Sequence, residues 1–142
     1  MNHLEGREQG TALVEFALAW PIVLLLVLGA VELAVWESEA AAARYAAVAG
    51  ARAGTAAGAG AVVVASAVTL RVISASLVGT TASQWCPTDA RPAPAVWVCA
   101  TDTGAAVQVD VGGSVPSLVP LVVGGGLPVR AHAQLRKEAF VR

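Results

Sequence analysis

Residues 16–31, FALAWPIVLLLVLGAV, hold no strongly polar side chain, and the run widens to the 25 residues 12–36 if Glu15 and Glu32 near its ends are included. A helix of that length rises about 37 Å, against a hydrocarbon core of about 30 Å, so the pattern predicts a tilted membrane-spanning helix. Pro21 deletes one internal hydrogen bond and predicts a kink, which membrane helices tolerate. Trp20 and Trp36 fit the role of interfacial anchors.

Beyond the apolar run the pattern changes twice. Residues 37–52 are rich in Ala with Arg and Glu, strong helix formers, so the helix is expected to continue out of the membrane. Gly50, Gly54 and Gly58 then recur every fourth residue in GARAGTAAGAG. On a helix they form a smooth face for another helix, as in small-xxx-small contacts. The other reading, which is the expectation carried forward, is a helix end and a flexible connection. Residues 61–79, AVVVASAVTLRVISASLVG, are long enough for a helix packed on a sheet, although their Val content also suits strands, and Arg71 at the middle opposes a second span.

In the C-terminal third the period drops to two. Val107, Val109 and Val111 alternate with Gln108 and Asp110, and Val129, Ala131, Ala133 and Leu135 alternate with Arg130, His132 and Gln134. Both stretches read as half-buried strands with one wet face. AVWVCA before them reads as a third strand, whereas PSLVPLVVGGGLP is too rich in Pro and Gly to be regular. The fold class is α+β: a long N-terminal transmembrane helix continuing into a small head with a helix and an antiparallel sheet.

Composition agrees with a membrane-bound chain, since 56% of the residues are apolar and 13% charged. Nine basic residues stand against ten acidic ones with no basic block, which argues against nucleic-acid binding. Cys86 and Cys99 are separated by a Pro-rich stretch, and no third Cys or nearby His completes a zinc site. In an exported segment they read as a disulfide, whose loop of about 14 residues stabilises the fold by about 3 kcal/mol in the chain-entropy model. Two unrelated buried thiols are the alternative. No phosphate loop, nucleophile elbow or His-Glu-x-x-His pattern occurs. His3 and His132 read as solvated, and Asp89, Asp102 and Asp110 form no evident acid/base pair. No catalytic residue, metal site or cofactor is assigned.

A cleaved secretory signal is a further reading of the N-terminus, with small residues available in ESEAAAARYA. The length of the apolar run, the acidic leader around Arg7 and the position of Glu15 oppose it. Glu15 itself needs an account, because a carboxylate at membrane depth costs up to about 2.5–3.5 kcal/mol. Cleavage after Gly10 would create an α-amine on Thr11, one helical turn from Glu15, whose charge can pair with a carboxylate in the same or a neighbouring chain. A hydrated acid at the membrane surface, without a partner, is the plainer reading.

The pattern Gly10, four residues, then Glu15 and Phe16, followed by ALAWPIVLLLVLGAVEL, resembles the N-terminus of TadE-like minor pseudopilins of the Tad (tight adherence) branch of type IV pili. The similarity covers residues 7–55, including AAAARYAAVAGARAG, and is weak beyond residue 60. One departure is that Glu5 and Glu8 accompany Arg7 in a leader that is usually net positive. The resemblance implies cleavage between Gly10 and Thr11 by a membrane aspartic prepilin peptidase. It implies an alignment role in assembly for Glu15 with Phe16, and matches Pro21 and Glu32 to the proline and acid seen around the span. The partners it implies are that peptidase, other pilin and pseudopilin subunits, a membrane assembly platform and the bilayer. The expected organisation is a cytoplasmic leader at 1–10, a transmembrane helix at 11–36, a helix extension and Gly-rich connection at 37–60, and an exported pilin-like head at 61–142. That places a single-pass protein in the cytoplasmic membrane with its N-terminus inside. The alternative is an uncleaved single-pass protein whose exported domain binds a ligand or scaffolds another protein.

Overall fold

The computed structural model describes residues 5–118 and 125–137, with side chains from residue 13 onward. In chain order they form helix α1 (Glu5–Ala56), a 3-10 turn (Gly58–Gly60), helix α2 (Ala61–Ser74) and strands β1 (Ala82–Gln84), β2 (Val96–Asp102), β3 (Ala106–Val115) and β4 (Leu127–Arg136). This is the α+β class expected. The centre of the irregular PSLVPLVVGGGLP stretch, residues 119–124, lies outside the described residues, as does His3. The chain forms two compact units, Met1–Ala34 and Val35–Arg142.

The first unit is helical from Glu5, and Pro21 lies inside the helix without ending it. Its surface is apolar on every side: the consecutive residues Leu24, Leu25, Leu26 and Val27, a full turn, are 42%, 57%, 69% and 54% exposed. A helix with no polar face requires an apolar surrounding. Its apolar stretch belongs to the one described helix that is long and apolar enough to cross a membrane.

The second unit starts from a helical hairpin. In α2, Ala61, Ala65, Thr69 and Ile73 are buried at a spacing of four, and they face α1 residues that are equally small. A methyl group on Gly50 would lie 1.9 Å from Thr69 Oγ1 and 2.7 Å from the Ala65 carbonyl oxygen; on Gly54 it would lie 2.9 Å from both Ala65 Cβ and Val107 Cγ1. Rising from Gly50 to Gly54 on α1 therefore means descending from Thr69 to Ala61 on α2, so the helices run antiparallel. The helix end expected in GARAGTAAGAG falls at Ala56, but Gly50 and Gly54 lie before it, inside the continuous helix, and let it approach its neighbour. Only Gly58, at φ 59°, performs the turn. The two buried hydroxyls of α2 are satisfied within it, Thr69 Oγ1 donating to the Ala65 carbonyl at 2.7 Å and Ser66 Oγ to that of Val63 at 3.0 Å.

The hairpin packs on a four-stranded sheet of order β1-β2-β3-β4. The core between them is built of small side chains, Ala43, Ala47 and Ala51 from α1 meeting Val98, Val107, Val109 and Val129 from the sheet, with Ile73 the largest fully buried residue. β3 pairs antiparallel with both β2 and β4, but β1 pairs parallel with β2, so the sheet is mixed and not purely antiparallel. A parallel neighbour needs a crossover of about a dozen residues, and here residues 85–95 supply it. The three residues of β1 carry no alternation long enough to be read from the sequence.

Candidate functional site

The N-terminal residues singled out by the sequence lie on one helix. The Gly10–Thr11 peptide is within α1, which starts before it at Glu5. Glu15 is exposed and has no hydrogen-bond or ionic partner among the described residues. One turn on, the Phe16 and Trp20 rings stack with centroids 5.7 Å apart and planes 23° from parallel. Phe16 is 64% exposed and Trp20 50%. Among the described residues, then, Glu15 stands without a partner beside a stacked aromatic pair on an apolar helix.

Trp36, expected as an interfacial anchor, makes contacts within the second unit. Its ring packs against the core of the second unit, and its indole N–H donates to the Pro128 carbonyl at 3.0 Å. Nearby on α1, buried Glu39 accepts a hydrogen bond from the Val78 amide at 2.9 Å, holding the segment that follows α2. Neither tie is visible in local sequence, because each joins residues far apart in the chain.

The wet face of the sheet carries the other concentration of chemistry. Cys86 and Cys99 are joined by a disulfide with Cα atoms 4.8 Å apart, which pins the 85–95 crossover onto β2. The same crossover is tied by Trp85, whose backbone N–H donates to the Val98 carbonyl at 3.0 Å and whose indole N–H donates to that of Arg91 at 2.8 Å. Trp85 meets Trp97 edge to face at 5.5 Å between ring centroids. Trp97 lies across the bare backbone of Gly112, its partner on β3, where a methyl group would strike the indole at 2.4 Å.

Next along this face are Arg130 opposite Gly112, and His132 opposite Asp110. His132 Nδ1 is 2.6 Å from Asp110 Oδ1, and Gln108 Nε2 donates to Asp110 Oδ2 at 2.9 Å. His132 is exposed, as the sequence reading expected, but the β3–β4 register sets it against Asp110, which that reading left without a partner. Trp97, Pro87, Arg130 and His132 line an open concavity of about 750 Å³. Its lining sets an aromatic plane and the Arg130 cation beside the His132–Asp110 pair. At the far end of the sheet, Lys137 donates to Asp102 Oδ2 and the Gly104 amide to Oδ1 at 2.8 Å. The lysine first, and then the amide, hold the Asp102 carboxyl below its ordinary range.

A model of the TadE-like protein family matches residues 10–52. The match starts at Gly10 and takes in Glu15, Phe16, Pro21 and the helix as far as Arg52. No curated protein and no solved structure matches the chain.

Proposed function

We propose that the protein is a minor pseudopilin, a membrane-anchored structural subunit for assembling a Tad-type pilus or related secretion filament. The observation that carries this reading is the match to the TadE-like family over residues 10–52, with Glu15 lying exposed and unpartnered among the described residues on an apolar helix. In this account residues 1–10 are a cytoplasmic leader removed by a prepilin peptidase, 11–36 span the cytoplasmic membrane, 37–60 extend the helix, and 61–142 form the exported head. The scissile peptide is helical in the uncut chain, so a peptidase must unwind about one turn to reach it. Gly10 lowers that barrier, being about 1 kcal/mol poorer in a helix than Ala.

Once cut, the Thr11 ammonium of one subunit meets the Glu15 carboxylate of its neighbour. The cost of a carboxylate in the bilayer is thereby offset on assembly. The partners are other pilin and pseudopilin subunits and the membrane assembly platform, and the work of the chain is association without turnover.

The second reading, an uncleaved single-pass protein with a ligand-binding head, draws on the Trp97–Arg130 concavity. N-terminal sequencing of the mature protein, from cells that possess a prepilin peptidase, separates the two. The first predicts a start at Thr11, and retention of Met1 would overturn it.

A further inference from the structure

Among the described residues the outer edge of β4 pairs with no strand, since β4 stands last in the sheet order. Which of its backbone groups face outward is fixed by β3. The Ser114 amide donates to the Ala95 carbonyl at 2.7 Å on the β2 side, and the Ala106 carbonyl accepts from Thr103 at 3.0 Å on that same side. Even-numbered residues of β3 thus point away from β4, and their partners Pro128, Arg130, His132, Gln134 and Arg136 point away from β3. Pro128 has no N–H, and its outward carbonyl is taken by the Trp36 indole. From Arg130 to Arg136 the outward amides and carbonyls meet no backbone partner among the described residues.

The same four residues carry their side chains on the wet face, where Arg130, His132, Gln134 and Arg136 are all exposed. A strand added to this edge would place its own alternate side chains directly beside them, with Cβ atoms about 5 Å apart. Neither arginine has an ionic or hydrogen-bond partner among the described residues, whereas Asp89, Asp102 and Asp110 are all engaged by Arg91, Lys137 and His132. Two copies of β4 paired so that Arg130 meets Arg136 would oppose cation to cation, and like charges directly opposite are destabilising. That register is thereby disfavoured for a second copy. A strand with carboxylates at every second position turns the same positions into cross-strand ion pairs.

We propose that the outer edge of β4 accepts an extended acidic segment of a partner protein by strand addition, with alternate carboxylates set against Arg130 and Arg136. Backbone hydrogen bonds supply the attachment and the charge pattern selects the partner. Pro128 with its capped carbonyl ends the addition on one side.

The test uses the full chain in lipid nanodiscs and a fluorescent eight-residue peptide alternating Thr and Glu, with a Lys-for-Glu peptide as its counterpart. The acidic peptide should bind about tenfold more tightly than the basic one and slow amide hydrogen exchange at His132 and Gln134. Arg130→Glu combined with Arg136→Glu should reverse the preference. Gln134→Pro, which deletes one outward N–H and leaves the β3 ladder whole, should weaken binding about tenfold without changing exchange in β2. Equal affinity for the two peptides, binding without slowed exchange at His132 and Gln134, or indifference to Gln134→Pro would overturn the proposal. So would a Glu peptide displaced by vesicles of anionic lipid, since the cations would then face a membrane surface.

Discussion

Gly50 and Thr69 touch so closely that no side chain larger than hydrogen fits between them, a methyl group at residue 50 falling 1.9 Å from Thr69 Oγ1. Replacing Gly50 with Ala gains about 1 kcal/mol of helix propensity, yet it must push apart two helices whose contact includes the Ala65 backbone. Overpacking of this kind costs about 1–3 kcal/mol, so the net effect of Gly50→Ala is a lower unfolding midpoint for the second unit. Gly29→Ala is the matching control, since its methyl group would meet nothing within 4 Å. Denaturant unfolding of the two variants in micelles, followed by tryptophan fluorescence, checks the contrast. A Gly50→Ala protein as stable as wild type would mean that the α1–α2 approach is not needed.

Removing the crossover staple should be felt across the wet face. The Cys86–Cys99 bridge holds residues 85–95 against β2, and with them Trp85 against Trp97. Cys99→Ala paired with Cys86→Ala should cost about 3 kcal/mol and alter the near-ultraviolet signal of the tryptophan pair. In freshly exported protein both thiols should resist alkylation unless a reductant is added first.

Asp102 links the last residue of the β4 region to the β2–β3 turn through Lys137. Its carboxyl is held below the ordinary 3.8, first by the lysine and then by the Gly104 amide. A depressed carboxylate contributes stability above its unfolded pKa, and that contribution is lost as pH falls through the lowered folded value. Lys137→Met should therefore reduce Tm at neutral pH, and the difference from wild type should shrink below pH 3.8 and disappear once Asp102 is protonated in both proteins. A Tm difference that stayed constant into strong acid would place the effect of Lys137 elsewhere.

Glu15 tests the assembly reading directly. If its charge serves the junction between subunits, Glu15→Gln should insert in the membrane as well as wild type or better, and be cut after Gly10 nearly as well, while co-purifying less with other pilins. Glu15→Asp keeps the charge on a shorter arm and should fall between. Unchanged co-purification of Glu15→Gln would leave Glu15 as a hydrated surface acid.

How much was legible in advance varies from element to element with the range of the signal. The apolar run 12–36 could be read from its unbroken length, and the alternation of Val107, Val109 and Val111 and that of residues 129–135 because burial there follows the period of the backbone itself. Each neighbouring pair of residues announces the face. Glu15 after Gly10 was legible for a related reason: a carboxylate in an apolar helix is costly wherever the helix goes, so the sequence alone raises the question. Cys86 and Cys99 could be paired because nothing else in the chain offered either thiol a partner.

What the sequence determined by itself, then, is the membrane-length helix, the two alternating strands, the cysteine bridge and the N-terminal pattern shared with the TadE-like family. The tertiary structure decided the rest. Glycines at every fourth position describe a helix end and a packing face equally well, and only the arrival of Ala65 and Thr69 opposite Gly50 and Gly54 distinguishes them. Trp36 is an amphipathic ring at the end of an apolar run until Pro128, 92 residues away, presents its carbonyl. His132 and Asp110 become partners through the β3–β4 register, and β1 becomes a parallel strand through a crossover that no local period encodes. In each case the deciding energy is a contact between distant segments, and the strength of such a contact is set by geometry that exists only after the chain has folded.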